Sequence, residues 1–161
     1  MTALTATLDL TSPDATARFA GWLGQRLAAG DILLLNGPIG AGKTHFARSL
    51  IQSLQSATGQ TEDIPSPTFT LVQIYQAGPL EIWHSDLYRL THPNEALELG
   101  LEDAFDTALV LIEWPDRLGS LTPASALSLT LAPTGDDSRR LTASATAPRW
   151  HPLLAAISAH D

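Results

Sequence analysis

Cysteine is absent from the 161 residues, which excludes disulfides, thiolate metal sites and a cysteine nucleophile. Its absence suits a reducing cytoplasm. No run approaches the roughly 20 apolar residues that span a bilayer. The first ten residues lack the basic start and long apolar core of a secretory signal. The sequence therefore predicts a soluble, cytoplasmic protein with no membrane contact. Basic residues are also few: nine Lys and Arg against 17 Asp and Glu leave a net charge of −8. They are scattered, whereas nucleic-acid-binding surfaces concentrate positive charge against phosphates. That argues against this chain as the main holder of an RNA, and an acidic surface suits contact with a protein partner. With 44% hydrophobic and 16% charged residues the composition is globular. Repeats, low-complexity tracts and dividing linkers are missing too, so the expectation is one domain over residues 1–161.

What is present is Gly37-Pro38-Ile39-Gly40-Ala41-Gly42-Lys43-Thr44, a full G-x-x-x-x-G-K-[ST] phosphate-loop pattern. Its setting supports it. Ile32-Leu33-Leu34-Leu35 leads in as a buried strand, and Phe46, Ala47, Leu50, Ile51 and Leu54 follow at helical spacing. Glycines let backbone N–H groups turn inward around an anion, and the start of the helix adds its positive end. In this pattern Lys43 supplies a charge for the β- and γ-phosphates, and the Thr44 hydroxyl is placed to ligate Mg²⁺.

Around this unit, residues 5–10 alternate as a strand, and Ser12-Pro13 starts a helix that Gly30 stops. Residues 56–67 are loop; residues 68–75 and 80–87 form a hairpin around Gly78-Pro79. Residues 95–105 read as a helix broken at Gly100, and Ala108 to Ile112 as a strand buried on both faces. Residues 115–118 make a turn or one helical turn, 127–131 and 141–145 a second hairpin, and 152–160 a last helix. The predicted fold class is α/β: a P-loop NTPase-like mixed sheet with helices on both faces and antiparallel hairpins.

Three later segments add chemistry. Pro65-Ser66-Pro67-Thr68-Phe69-Thr70 is either a γ-phosphate-sensing loop carrying Ser66 and Thr68 or a proline-bounded strand start. In His84-Ser85-Asp86-Leu87-Tyr88-Arg89, Asp86 is placed to orient a water or a magnesium-bound water. Spacing alone favours instead a surface ion pair between Asp86 and Arg89. His84 reads as a structural hydrogen-bonder, because no second histidine stands at ligand spacing. In Leu111-Ile112-Glu113-Trp114-Pro115 an acid follows a buried strand, the Walker-B arrangement in which the carboxylate reaches the magnesium shell. The bland alternative is a strand-end carboxylate facing solvent. Trp114 is expected to pack in the core in preference to covering a nucleotide.

The phosphate loop, SPTFTLV, H-x-DLYRL and IEWP-x-R, in this order and spacing, resemble the TsaE (YjeE-like) family, from about Asp31 to Leu118. The resemblance implies Mg²⁺-dependent ATP hydrolysis in support of N6-threonylcarbamoyladenosine formation on tRNA. It also implies docking on TsaD and TsaB, with tRNA met only indirectly. Carried over by position, Gly37, Ile39, Gly40, Ala41, Gly42, Lys43 and Thr44 hold ATP together with Thr68. Thr44 and Glu113 hold Mg²⁺, and Lys43, Asp86 and Glu113 carry catalysis. One departure is visible: Pro38-Ile39 stands where the family has Asp-Leu, and Pro38 removes one loop N–H. Two rival functions remain, a small-molecule kinase and a nucleotide-dependent binding module with incidental turnover. An arginine-rich lid, which the kinase needs, is not evident, and the guanine-reading Asn-Lys-x-Asp motif is absent.

Overall fold

Leu109-Val110-Leu111-Ile112-Glu113 has no side chain that faces water, so a strand built from it must be covered on both sides. In the computed structural model, which describes residues 3–60 and 62–160, this strand, β5 (Leu109–Glu113), lies inside a seven-stranded sheet. The other strands are β1 (Leu4–Leu10), β2 (Ile32–Asn36), β3 (Val72–Ala77), β4 (Leu80–Asp86), β6 (Leu127–Pro133) and β7 (Arg139–Ala145). Their order is β1-β7-β6-β2-β5-β4-β3. Strands β6, β2, β5 and β4 run parallel, while β7 and the edge strands β1 and β3 pair antiparallel with their neighbours.

Alternation along the inner strands sorts the core into two layers. Leu33 and Leu35 of β2, with Leu109 and Leu111 of β5, face α1 (Pro13–Gly24), α2 (Lys43–Ser56) and α5 (His151–Ser158). Ile32, Leu34, Val110 and Ile112 face the other way, toward α3 (Asn94–Glu98) and α4 (Leu101–Thr107). Helices thus cover both faces, as the sequence predicts. No helix among the described residues is long and apolar enough to cross a membrane.

Local chemistry explains most boundaries. Ser12 Oγ accepts from Ala15 N–H at 3.0 Å and Pro13 follows at the first helical position, so α1 starts as expected. It ends at Gly24, before the expected stop at Gly30. Arg26 and Leu27 N–H bond to Leu23 and Gly24 carbonyls three residues back, which tightens the chain out of the α-helix. Gly30 instead takes φ +91° and bonds Ala108 O, locking the approach to β2. Gly100, at φ +84°, breaks the helical stretch into α3 and α4 as predicted.

The hairpin's first strand starts at Val72 and not at Thr68. Leu71 adopts a left-handed φ of 68°; its N–H bonds Pro67 O, and its carbonyl accepts from Asp86 N and Ser85 Oγ. Those bonds use the backbone groups that a longer strand would offer to a ladder. Met1, Thr2, Thr61 and Asp161 lie outside the described residues, as do the expectations that fall on them for the chain start and the 56–67 loop.

Candidate functional site

β2 connects toward β4 while β6 connects the opposite way to β7, and such a divergence opens a crevice outside the carboxyl ends of the strands. The phosphate loop crosses that crevice between β2 and α2. Gly37 is required by space: a Cβ there would lie 2.6 Å from Leu131 O on β6. Gly42 is required by conformation, since it caps α2 at φ +98° with open space around it.

Lys43 Nζ donates to Gly37 O at 2.5 Å and Pro38 O at 3.1 Å, and sits 3.9 Å from the Trp114 ring centroid. Burial holds its pKa below the ordinary 10.5, against the opposing pull of Glu113, Asp86 and Asp116. A poorly hydrated cation of this kind is ready to exchange carbonyl dipoles for an anion.

Sheet register sets the acids beside it. Glu113 pairs with Leu35 on one side and with Asp86 on the other, so both carboxylates stand at the same strand ends. Thr44 Oγ1 lies 2.9 Å from Glu113 Oε1 and 3.0 Å from Oε2. His84 Nε2 lies 2.7 Å from Oε2, and His84 and Glu113 are both buried. Asp86, also buried, accepts Tyr88 N–H on Oδ1 at 2.9 Å and the Thr68 hydroxyl on Oδ2 at 3.0 Å. Ser66 and Thr68 hydroxyls share a 2.7 Å bond. The left-handed turn at Leu71 delivers Thr68 to this position.

These side chains line a pocket of about 440 Å³ that contains Ile39, Gly40, Ala41, Gly42, Lys43, Thr44, Thr68, Asp86 and Glu113. Of the residues named from sequence, Gly37 lies outside the lining, pressed on β6, and Ile39 is largely exposed at the rim. Two expectations are corrected. The Asp86–Arg89 ion pair does not form: Arg89 stacks 5.1 Å from the Phe69 ring, and Asp86 is engaged by Thr68 and Tyr88. Trp114 does not enter the core. At φ 58° it turns the chain directly after Glu113, leaving its ring half-buried over Lys43 and 4.8 Å from Tyr88. Glu113 is likewise not a solvent-facing carboxylate.

Sequence reasoning named His84 as a hydrogen-bonder without its partner, and gave no site role to Tyr88 or Arg139. His84 had a usable signal, since two residues along a strand put it on the same face as Asp86. Tyr88 and Arg139 had none, because their places depend on turns.

A hydroxyl and a carboxylate within 3 Å of each other are hard oxygen donors that one Mg²⁺ can share. Among the described residues no group of three His, Cys, Asp or Glu side chains could hold an ion. Two protein oxygens leave most of an octahedral shell to waters and substrate oxygens, a division that suits Mg²⁺ chemistry.

A family model described as threonylcarbamoyl adenosine biosynthesis protein TsaE matches residues 10–141. The tRNA threonylcarbamoyladenosine biosynthesis protein TsaE of Rickettsia conorii is 42% identical over 132 residues, 82% of this chain and 73% of that protein. The Bacillus subtilis protein of the same name is 33% identical over 151 residues, 93% of this chain and 92% of its own length. The crystal structure of Bacillus subtilis YdiB aligns with a TM-score of 0.81 at 28% identity, covering 100% of this chain and 99% of that one. A family match across most of the chain, relatives alike over 73% and 92% of their own lengths and a shared P-loop NTPase-like fold make this chain a member of the TsaE family, the threonylcarbamoyladenosine biosynthesis proteins.

Proposed function

We propose that this chain is a Mg²⁺-dependent ATPase of the cytoplasm that supports N6-threonylcarbamoyladenosine formation on tRNA, working in a complex with TsaD and TsaB. The observation that carries the reading is the Thr44–Glu113 pair beside the phosphate loop, with Asp86 one strand away. When bound, Mg²⁺ neutralises charge on the β- and γ-phosphates. Thr44 Oγ1 and the Glu113 carboxylate supply the ion's protein oxygens, and His84 keeps that carboxylate turned toward Thr44. Lys43 leaves the Gly37 and Pro38 carbonyls for the phosphates, under the Trp114 ring. Asp86, with one lone pair on each oxygen already engaged, uses the others to orient the attacking water. Its hydroxyl partner Thr68 couples this event to the 64–71 loop, whose exposed Pro65, Ser66, Phe69 and Thr70 suit it to report the nucleotide state to a partner. The net charge of −8 suits a chain that meets tRNA through its protein partners.

Phosphate release from MgATP, measured with the chain alone and with a TsaB–TsaD pair added, tests the proposal. Stimulation by the pair is expected. Glu113→Ala should lower turnover about a hundredfold or more while nucleotide binding persists. Release indifferent to the pair, or transfer to a small acceptor in place of water, overturns it. If Glu113→Ala leaves function in the complex intact and only Lys43→Ala abolishes it, the chain is a nucleotide-dependent binding module.

A further inference from the structure

The phosphate loop is held from outside by an arginine of the distant β6–β7 hairpin. Arg139 Nε donates to Ala41 O at 2.8 Å and Nη2 to Gly40 O at 3.2 Å. Its remaining nitrogen, Nη1, donates to Ser138 O at 2.8 Å and leans on Gly135 O and Asp136 O at 3.3 and 3.4 Å. Every guanidinium nitrogen thus meets a backbone carbonyl, and Arg139 forms no salt bridge with a carboxylate among the described residues. For a half-exposed arginine this is an unusual allocation, because water or an acid would serve equally well.

The consequence follows from peptide geometry. A trans peptide is planar with its C=O and N–H on opposite sides. Holding Ala41 O fixes the direction of the Gly42 N–H, and the Gly40–Ala41 peptide is pinned on both sides, Gly40 O by Arg139 and the Ala41 N–H by its 3.1 Å bond to Pro38 O. The planar fork of the guanidinium holds two carbonyls in fixed relative directions, whereas the donors of an ammonium rotate freely on a flexible stem. Gly40 and Gly42, both at positive φ with nothing near their Cβ positions, have no side chain to anchor them, so Arg139 adds to the local bonds from Ala41 N–H to Pro38 O and from Phe46 N–H to Gly42 O. Pro38 contributes no N–H, so fewer donors remain and their orientation matters more.

We propose that Arg139 is a positioning residue for the phosphate loop, clamping its crest in the conformation that receives a triphosphate. The proposal rests on the nucleotide reading above. Two readouts test it on the full chain, compared among wild type, Arg139→Met and Arg139→Lys, with thermal melting as the check on folding. Amide hydrogen exchange at residues 39–43, without nucleotide, reads the clamp alone. It should accelerate severalfold in Arg139→Met. Titration with MgATP reads the consequence: binding should weaken about tenfold in Arg139→Met, with KM raised and kcat at saturation little changed. Arg139→Lys should recover little of either. Unchanged exchange or unchanged binding in Arg139→Met overturns the clamp, and full recovery by lysine reduces the effect to charge and overturns it too. A wild-type chain that binds no MgATP overturns the nucleotide reading instead, and the exchange experiment then still decides for or against the clamp.

Discussion

Glu113 shows how one carboxylate is made ready by its neighbours. It is buried, and its charge is met by the Thr44 hydroxyl and by His84 Nε2. The His84 ring must carry its proton on Nε2 to donate here, and Nδ1 meets no partner among the described residues. His84→Leu removes that donor and leaves a buried charge underserved, which should cost about 1–3 kcal/mol of stability by urea unfolding. His84→Gln, whose amide nitrogen reaches a similar place, should recover most of it; equal losses in both variants would mean that the ring's shape and not its donor matters. Lys43 illustrates the opposite case, a group whose charge opposes folding. Its folded pKa lies below 10.5 because burial disfavours the cation. The unfolded chain therefore holds this proton more tightly. The cost is complete below the folded pKa and disappears as pH rises through it toward 10.5. Relative to Lys43→Met, the wild type should gain stability over that alkaline window, seen as a narrowing gap in urea midpoints. A gap that stays constant or widens contradicts this sign.

Among the elements, turns do more than strands to assemble the pocket. Leu71 and Trp114 both hold left-handed φ without being glycine, a conformation that costs on the order of 1–3 kcal/mol. The first delivers Thr68 to Asp86, and the second swings an indole over Lys43. Neither left-handed position is itself a Gly, Asn or Asp, which is why the 68–75 stretch reads as strand and Trp114 as core. Where punctuation is present, the element follows it. Ser12→Ala should cost about 1 kcal/mol through the lost cap on α1, measured by chemical denaturation. Gly37→Ala is a harsher test, because the added methyl must displace the Leu131 carbonyl of β6. It should destabilise the chain and weaken MgATP binding together; a well-tolerated alanine would show that the loop can move off β6.

Across the molecule, a mixed sheet sandwiched by helices places every strand end that matters on one side. Leu111→Ala, in the middle of β5 and fully buried, should cost about 2–5 kcal/mol in urea unfolding and lower nucleotide affinity by loosening Glu113, two residues on. A loss of stability without any effect on binding would show that the site is held by its own hydrogen bonds. The phosphate loop, the two-sided burial of β2 and β5, the cap on α1 and the break at Gly100 were all legible in the chain. Each is written in a short window: a motif, a periodicity, a cap or a glycine acts on backbone only a few residues away. The meeting of Thr44 with Glu113, 69 residues apart, and of Arg139 with Ala41, 98 residues apart, was decided by the tertiary structure. So were the burial of Asp86 away from Arg89 and the move of Trp114 out of the core. Those contacts depend on strand register and on left-handed turns whose cost is met by the packed whole, and no local propensity encodes either.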